Sequence, residues 1–293
     1  MEVSHQKNLV NQEFPFNLMI TDIAEFPPHW HKEIEIIYVL EGVMDIGLNN
    51  QIYTMESGDI LLVGMGDVHY FLTSPVRSNR IIVQFDLSMV EYVSPAFQDQ
   101  RFKVPVIRKH AATSGEYVRS WPTTEREVHH LLEEQILTLH AEYQRKSEGY
   151  KLAVMARLYD LVAIFLRYLP MEEVSPLEKN KHLKKLDRLE QVFSYVEQNY
   201  ARPITLQEVS CVANFSVYHF TRFFKETTGM TFLYYLNSYR ISKAVKYLAK
   251  TADSITEVAF KSGFDSIKTF NRVFKQFKGC SPTQYQKRLK SNF

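Results

Sequence analysis

The last hundred residues carry one unit twice, and this limits the fold more than any other feature of the chain. Phe220-Thr221-Arg222-Phe223-Phe224-Lys225, closed by Gly229, returns 50 positions later as Phe270-Asn271-Arg272-Val273-Phe274-Lys275, closed by Gly279. Upstream, Glu208-Val209 matches Glu257-Val258 at a spacing of 49, so one residue is inserted between the two parts of the unit. A repeat of this period prompts a search for a solenoid, but such stacks need at least about three members to bury a continuous core. Two copies fit a pair of helix-turn-helix units.

Both copies are punctuated alike. Thr205-Leu206-Gln207-Glu208 and Ser254-Ile255-Thr256-Glu257 are capping boxes, in which the hydroxyl satisfies a free helix N–H and the Glu reaches back. The first opens a short helix through Ala213. Asn214 then takes the tight turn, with Gly263 as its counterpart, and both residue types tolerate left-handed backbone. Ser216 and Ser266 are the N-caps of the helices that follow. Ser281-Pro282-Thr283-Gln284 starts a final helix with Pro at its first position. Leu186, Leu189, Val192, Phe193 and Val196 recur at helical spacing and predict a helix running to Tyr200, stopped by Pro203. Phe232–Leu248 reads as a longer helix joining the two units.

The two candidate recognition helices have separable faces. Phe220 and Phe224, like Phe270 and Phe274, fall on one side at i and i+4. Tyr218, Thr221 and Arg222 lie on the other side, matched by Ile267, Lys268, Asn271 and Arg272. Polar groups there can bond base edges, Arg to guanine above all, while Lys225, Lys275 and Lys278 suit phosphates, with Ser216 and Ser266 beside them at the helix starts. Charge points the same way. Residues 183–293 hold 18 Lys/Arg against 8 Asp/Glu, a balance of +10, whereas residues 1–182 hold 17 against 25, a balance of −8. A basic half beside an acidic one suggests a polyanion-binding module joined to something that does not touch the polyanion.

Residues 186–289 resemble the DNA-binding domain of the AraC/XylS family of bacterial transcription regulators. The second unit carries the signature: Ile255-x-x-Val258-Ala259, Gly263-Phe264, Phe270-x-Arg272-x-Phe274-Lys275, then Gly279-Cys280-Ser281-Pro282-x-x-Tyr285. The resemblance implies two helix-turn-helix units bridged by a long helix, with both recognition helices entering adjacent major-groove segments. The base readers it implies are Tyr218, Thr221, Arg222, Ile267, Lys268, Asn271 and Arg272. Ile267 departs from the polar residue usual there.

In the N-terminal half, Ile34–Leu40, Val43–Leu48, Ile60–Val63 and Arg80–Phe85 are β-rich runs. Among them sit His29-Trp30-His31-Lys32-Glu33-Ile34-Glu35, Gly42, Gly58-Asp59 and Gly64-Met65-Gly66-Asp67-Val68-His69. This pattern resembles the two motifs of a small cupin barrel, with Gly64 where proline is common and Thr73 where asparagine is common. Many regulators of the AraC family carry such a barrel as effector sensor. Three imidazoles and a carboxylate suit a divalent transition metal, while in the regulators the same positions often line a metal-free polyol pocket; plain structural histidines are the third reading. The expected effector pocket is His29, His31, Glu35, Tyr38 and His69, with no metal required and His29, His31, Glu35 and His69 as the ligands if one binds. Glu33 shares strand parity with Glu35, so either carboxylate could face inward.

Thr123–Lys146 and Lys151–Leu169 read as helices separated by Gly149, the second with an apolar stripe of Leu152, Met155, Ala156, Tyr159, Val162, Ala163 and Leu166. They could pack on the barrel or form a dimer interface. Pro170–Lys181 breaks periodicity and reads as an interdomain linker. The expected organisation is therefore a cupin-like effector-binding barrel (1–122), a helical hairpin for dimerisation (123–169), a linker (170–182) and an all-α domain with two helix-turn-helix units (183–293). The two cysteines, Cys211 and Cys280, imply no disulfide framework. The N-terminus lacks an apolar signal region and no apolar run is long enough to span a bilayer, which predicts a cytoplasmic protein without a membrane partner. The functional expectation is a transcription regulator, an activator of carbohydrate-related genes rather than an enzyme. Its expected partners are promoter DNA, a small-molecule effector of sugar type, a second copy of itself and RNA polymerase. The alternative is a metal-dependent cupin sensor or enzyme carrying a DNA-binding tail.

Overall fold

The computed structural model describes residues 13–23, 25–72, 77–90, 100–110, 124–251 and 253–291. Thr73 and the expected boundary at residues 122–123 lie outside them. The chain runs through β1 (Phe16–Thr21), β2 (Phe26–His29), β3 (Ile34–Glu41), β4 (Val43–Leu48), β5 (Gln51–Glu56), β6 (Ile60–Val63), β7 (His69–Leu72), β8 (Asn79–Phe85), β9 (Gln100–Phe102) and β10 (Val106–Ile107). These make an antiparallel sheet in the order β1-β8-β3-β6-β10 and a second in the order β2-β7-β4-β5. The expected barrel is thus built as two sheets packed as a sandwich. Asn49 and Asn50 both hold positive φ, 46° and 71°, as a tight hairpin turn between β4 and β5 requires.

Strand β3 is buried on both faces, so it reads as a nearly continuous apolar run rather than an alternating one. Ile37 and Val39 face the second sheet. Ile34, Ile36 and Tyr38 face two helices, α1 (Glu125–Arg145) and α2 (Tyr150–Tyr168). The buried residues of α2 are Val154, Leu158, Leu161, Val162, Ile164 and Phe165. This corrects the stripe expected from periodicity in part: Val162 is buried and Met155 and Leu166 pack against the core, but Leu152 is 73 % exposed and Tyr159 40 %, because a helix apolar on most of its surface offers more than one stripe.

Residues 170–182 are not an irregular linker. Met171–Glu173 form β11, which pairs antiparallel with β9, and α3 (Pro176–Asn199) starts immediately after. Ser175 and Glu178 build a capping box there, with Pro176 in the first turn, and the polar residues that blurred the periodicity are the solvated face of that helix.

Beyond α3 the chain forms α4 (Leu206–Val212), α5 (Val217–Thr228), α6 (Phe232–Lys250), α7 (Ile255–Lys261), α8 (Ile267–Lys278) and α9 (Pro282–Ser291). Each helix-turn-helix unit has its own core, Phe220 and Phe224 in one and Phe270 and Phe274 in the other. Asn214 and Gly263 take the two turns at φ 56° and 88°. At Gly263 a methyl group would collide with the carbonyl of Tyr200. Arg240 of α6 joins the units: its Nε donates to Tyr200 O at 2.9 Å and its Nη2 to Arg202 O at 2.8 Å, capping the end of α3. Among the described residues no helix is long and apolar enough to cross a membrane.

Candidate functional site

The capping serines set the start of each recognition helix. Ser216 Oγ accepts from His219 N at 3.3 Å and Ser266 Oγ from Thr269 N at 3.2 Å, so the first turn of both α5 and α8 begins at a defined residue. From that start the helical period buries Phe220, Phe224, Phe270 and Phe274, and leaves the opposite faces in solvent. Tyr218 (72 % exposed), Thr221, Arg222 and Lys225 stand out from α5. Ile267, Lys268, Asn271, Arg272 and Lys275 stand out from α8. Arg222 Nε donates to Glu226 Oε1 at 2.7 Å on the open surface. An exposed pair of this kind is screened by solvent and adds little to stability, so the guanidinium is readily exchanged to another acceptor. Lys278 is placed differently from the other expected phosphate contacts: its Nζ lies 3.0 Å from Glu25 Oε2 in the β domain, and its side chain is 21 % exposed.

The second cluster lies inside the β sandwich. His29 ends β2, His31 sits in the turn before β3, Glu35 is on β3 and His69 opens β7. All four are at most 4 % exposed. One ligand nitrogen from each of His29, His31 and His69 lies within 4.8 Å of the others, so the triad could bind a metal ion. Each Nδ1 is 2.9–3.0 Å from a backbone carbonyl: Pro27 O for His29, Glu33 O for His31, Asp67 O for His69. A carbonyl only accepts, so Nδ1 carries the proton in each ring and Nε2 is left as the lone-pair atom. That fixed tautomer is how metal-binding imidazoles are oriented.

The consequence is electrostatic. His31 Nε2 lies 3.0 Å from Glu35 Oε2, and His69 Nε2 lies 3.6 Å from Glu35 Oε1 with no hydrogen-bond partner of its own. Lone pairs of imidazole and carboxylate facing each other at these distances need a cation between them, either a proton or a metal. Burial drives His29 well below the usual imidazole range, and the neighbouring His69 adds to it. Burial acts the same way on His69, but the Glu35 charge overcomes it and raises this group. For Glu35, burial works upward, while the charge of His69 and the bond to His31 hold the carboxyl well below its ordinary value.

Of the two carboxylates left open by strand parity, Glu35 faces the Nε2 atoms of His31 and His69, whereas Glu33 lies on the other side of His31, its Oε2 3.7 Å from Nδ1, which already meets a carbonyl. Tyr38 is not among them. It lies on the helix-facing side of β3, where its hydroxyl donates to Glu133 Oε1 at 2.6 Å. Two polar residues of β8 join the interior and were not singled out from the sequence. Gln84 Nε2 donates to Glu35 Oε2 at 2.6 Å, and Arg80, 1 % exposed, lies 4.3 Å over the Phe71 ring. Burial lowers Arg80 to about 10. The available signal was an Arg and a Gln four residues apart, and so of one strand parity, in an otherwise apolar run, Arg80-Ile81-Ile82-Val83-Gln84-Phe85.

Because Glu35 accepts from buried Gln84 and faces two buried imidazoles, Glu35→Ala should destabilise the protein by about 3–5 kcal/mol, the cost of breaking a buried charged pair from one side. Tyr38→Phe, which removes one neutral hydroxyl from a part-buried hydrogen bond, should cost about 0.5–1.5 kcal/mol. Urea unfolding of both variants checks this, and equal effects would contradict the placement of Glu35 at the centre.

The profile described as an AraC-like ligand binding domain matches residues 22–162, and that of a helix-turn-helix domain matches residues 210–288. An uncharacterized HTH-type transcriptional regulator of Staphylococcus aureus is 27 % identical over 255 residues, which is 87 % of this chain and 31 % of that protein. The chain thus spans about a third of the length of the staphylococcal relatives it matches. The HTH-type transcriptional activator RhaR of Mannheimia succiniciproducens is 22 % identical over 291 residues, 99 % of this chain and 98 % of RhaR. The crystal structure of ToxT from Vibrio cholerae is 15 % identical, covers 94 % of this chain and 98 % of its own, and superposes with a TM-score of 0.44. The matches of residues 22–162 to an AraC-like ligand binding domain and of residues 210–288 to a helix-turn-helix domain place this chain in the AraC family of transcriptional regulators.

Proposed function

We propose that this protein is a transcription activator that binds promoter DNA through α5 and α8 and responds to a small-molecule effector held by its β domain. The observation that carries the proposal is the pair of exposed polar faces, each fixed by a serine cap over its own aromatic core. Tyr218, Thr221 and Arg222 read base edges from α5, and Lys268, Asn271 and Arg272 do so from α8, with Ile267 set to meet a thymine methyl. Lys225, Lys275 and Lys278 take phosphates, and Ser216 and Ser266 adjoin them at the helix starts. RhaR, similar along its whole length, is an activator by name, which supports that role here and RNA polymerase as a partner. The reading is of a regulator, not of an enzyme.

The outward stripe of α2, with Leu152 at 73 % exposure and Tyr159 at 40 %, supports a homodimer through this hairpin, joined by Leu137 of α1. Leu152→Glu should convert such a dimer to monomer in sedimentation equilibrium, and a parent chain that is already monomeric would remove the interface.

A sugar or related metabolite is the effector class that the family resemblance implies. A second reading concerns the centre itself. The fixed tautomers, the unpartnered His69 Nε2 and the near-zero exposure suit a divalent cation held by His29, His31 and His69 beside Glu35. Such an ion would supply a Lewis-acidic anchor for an oxygen-bearing effector.

Arg272→Ala should cost about 1–3 kcal/mol on a cognate site and relax preference at one base position. Lys275→Ala should weaken all sequences alike and flatten the salt slope by roughly one unit. Unchanged affinity in the first variant or an unchanged slope in the second removes that residue from the interface. Thermal unfolding against sugars, sugar phosphates and divalent metals decides the effector: a ligand at about 100 times its Kd stabilises by roughly 2.7 kcal/mol. A shift with one sugar that survives chelation supports a metal-free pocket. A shift with Zn2+ or Mn2+ alone, lost in His29→Ala/His31→Ala, supports the cation.

A further inference from the structure

We propose that the outer face of the second sheet at β2 and β7, with the segment before β2, is a docking surface for the C-terminal ends of both recognition helices, and that it competes with DNA for Lys278. The proposal rests on the reading of Lys278 as a phosphate contact.

Two contacts define the surface. Glu25, just ahead of β2, accepts from Lys278 Nζ at 3.0 Å through Oε2 and from Ser238 Oγ of α6 at 3.3 Å through Oε1. The carboxylate is 9 % exposed, so the pair is largely withdrawn from water. Lys278 is the last residue of α8. At the end of the other recognition helix stands Gly229, the left-handed C-cap of α5 with φ 71°. The hydroxyl of Tyr70, from β7, reaches against it so closely that a methyl group at Gly229 would collide with it. The other side of the same tyrosine ring fills the space over Gly47 of β4.

The placement of these contacts on β7 matters. Successive side chains of a strand point to opposite faces. His69 points to the imidazole centre, while its neighbours Val68 and Tyr70 point to the DNA-binding domain: Val68 is buried in the core of the first helix-turn-helix unit, and Tyr70 meets Gly229. One short strand therefore has the metal- or effector-binding group on one face and the docking groups on the other. A ligand that favours one position of His69 biases docking only through a difference in affinity between docked and undocked arrangements. In the docked arrangement the Lys278 ammonium is paired to Glu25 and cannot neutralise a phosphate. DNA binding thus either forfeits one counterion or breaks the clasp.

The test uses the full chain and a mixed-sequence DNA duplex, with binding followed by fluorescence anisotropy across a salt series. Glu25→Gln keeps the shape and removes the charge that holds Lys278. The slope of log K against log salt should steepen by about 0.9 for the one phosphate regained, which is roughly eight-fold tighter binding at about 0.1 M salt. Glu25→Asp, which draws the carboxylate back by one methylene, should change the slope in the same direction and guards against a folding defect in the first variant. Equal slopes and affinities in parent and variants overturn the docking proposal while leaving the DNA-binding reading intact. Failure of the parent and both variants to bind duplex DNA overturns that reading, and the clasp with it.

Discussion

The double burial of β3 is the constraint on which the sensor half depends. Its interior face carries Glu35, Ile37 and Val39 into the sandwich, and its outer face carries Ile34, Ile36 and Tyr38 into the core beneath α1 and α2. A strand with no solvent face has one workable register, because a slip of one residue would send Glu35 under the helices and an isoleucine into the histidine centre. The register with β8 brings Gln84 opposite Glu35, and that with β6 brings Val63 there. The packing of the helical hairpin and the geometry of the site are thus two consequences of one alternation.

The histidine centre shows how backbone carbonyls can decide the chemistry of side chains. Three carbonyls fix the three Nδ1 protons, and this aims three Nε2 lone pairs into a space that already holds a carboxylate. Buried polar atoms are ordinarily satisfied. Here the set is balanced only when something positive is present, and Arg80 acts on Glu35 through its charge alone, since its hydrogen bonds go to Ser78 and the Ile23 carbonyl at the far end of β8. That imbalance is what a cation in the cluster, or a proton on His69, would relieve.

In the DNA-binding half the corresponding device is Arg240. Two helix-turn-helix units with separate cores could sit at any mutual angle. A buried guanidinium on the connecting helix, bonded to the carbonyls of Tyr200 and Arg202, with Gly263 pressed against the same Tyr200 carbonyl, fixes the second unit on the end of α3. That in turn fixes the spacing between the two recognition faces, which is the quantity a double-stranded site must match.

The sequence alone determined the features that arise within a few residues of one another. The capping boxes at Thr205 and Ser254, the left-handed turns at Asn214 and Gly263, and the buried phenylalanines of α5 and α8 are local, and a repeat displays each of them twice. The His-x-His and carboxylate set was legible for the same reason. What only the tertiary structure decided is long-range. Parity allowed both Glu33 and Glu35, and the turn at Lys32-Glu33 chose between them. Periodicity offered more than one stripe on α2, and packing against the sheet chose among them. Polar residues after Pro170 read as linker because a solvated helix face and an irregular segment have similar composition, and the strand pairing of Met171–Glu173 with Gln100–Phe102 resolved it. Lys278 read as one more exposed phosphate ligand because its partner, Glu25, lies 253 positions away. No local pattern records an ion pair of that span; it exists only once two domains with opposite charge have folded and met.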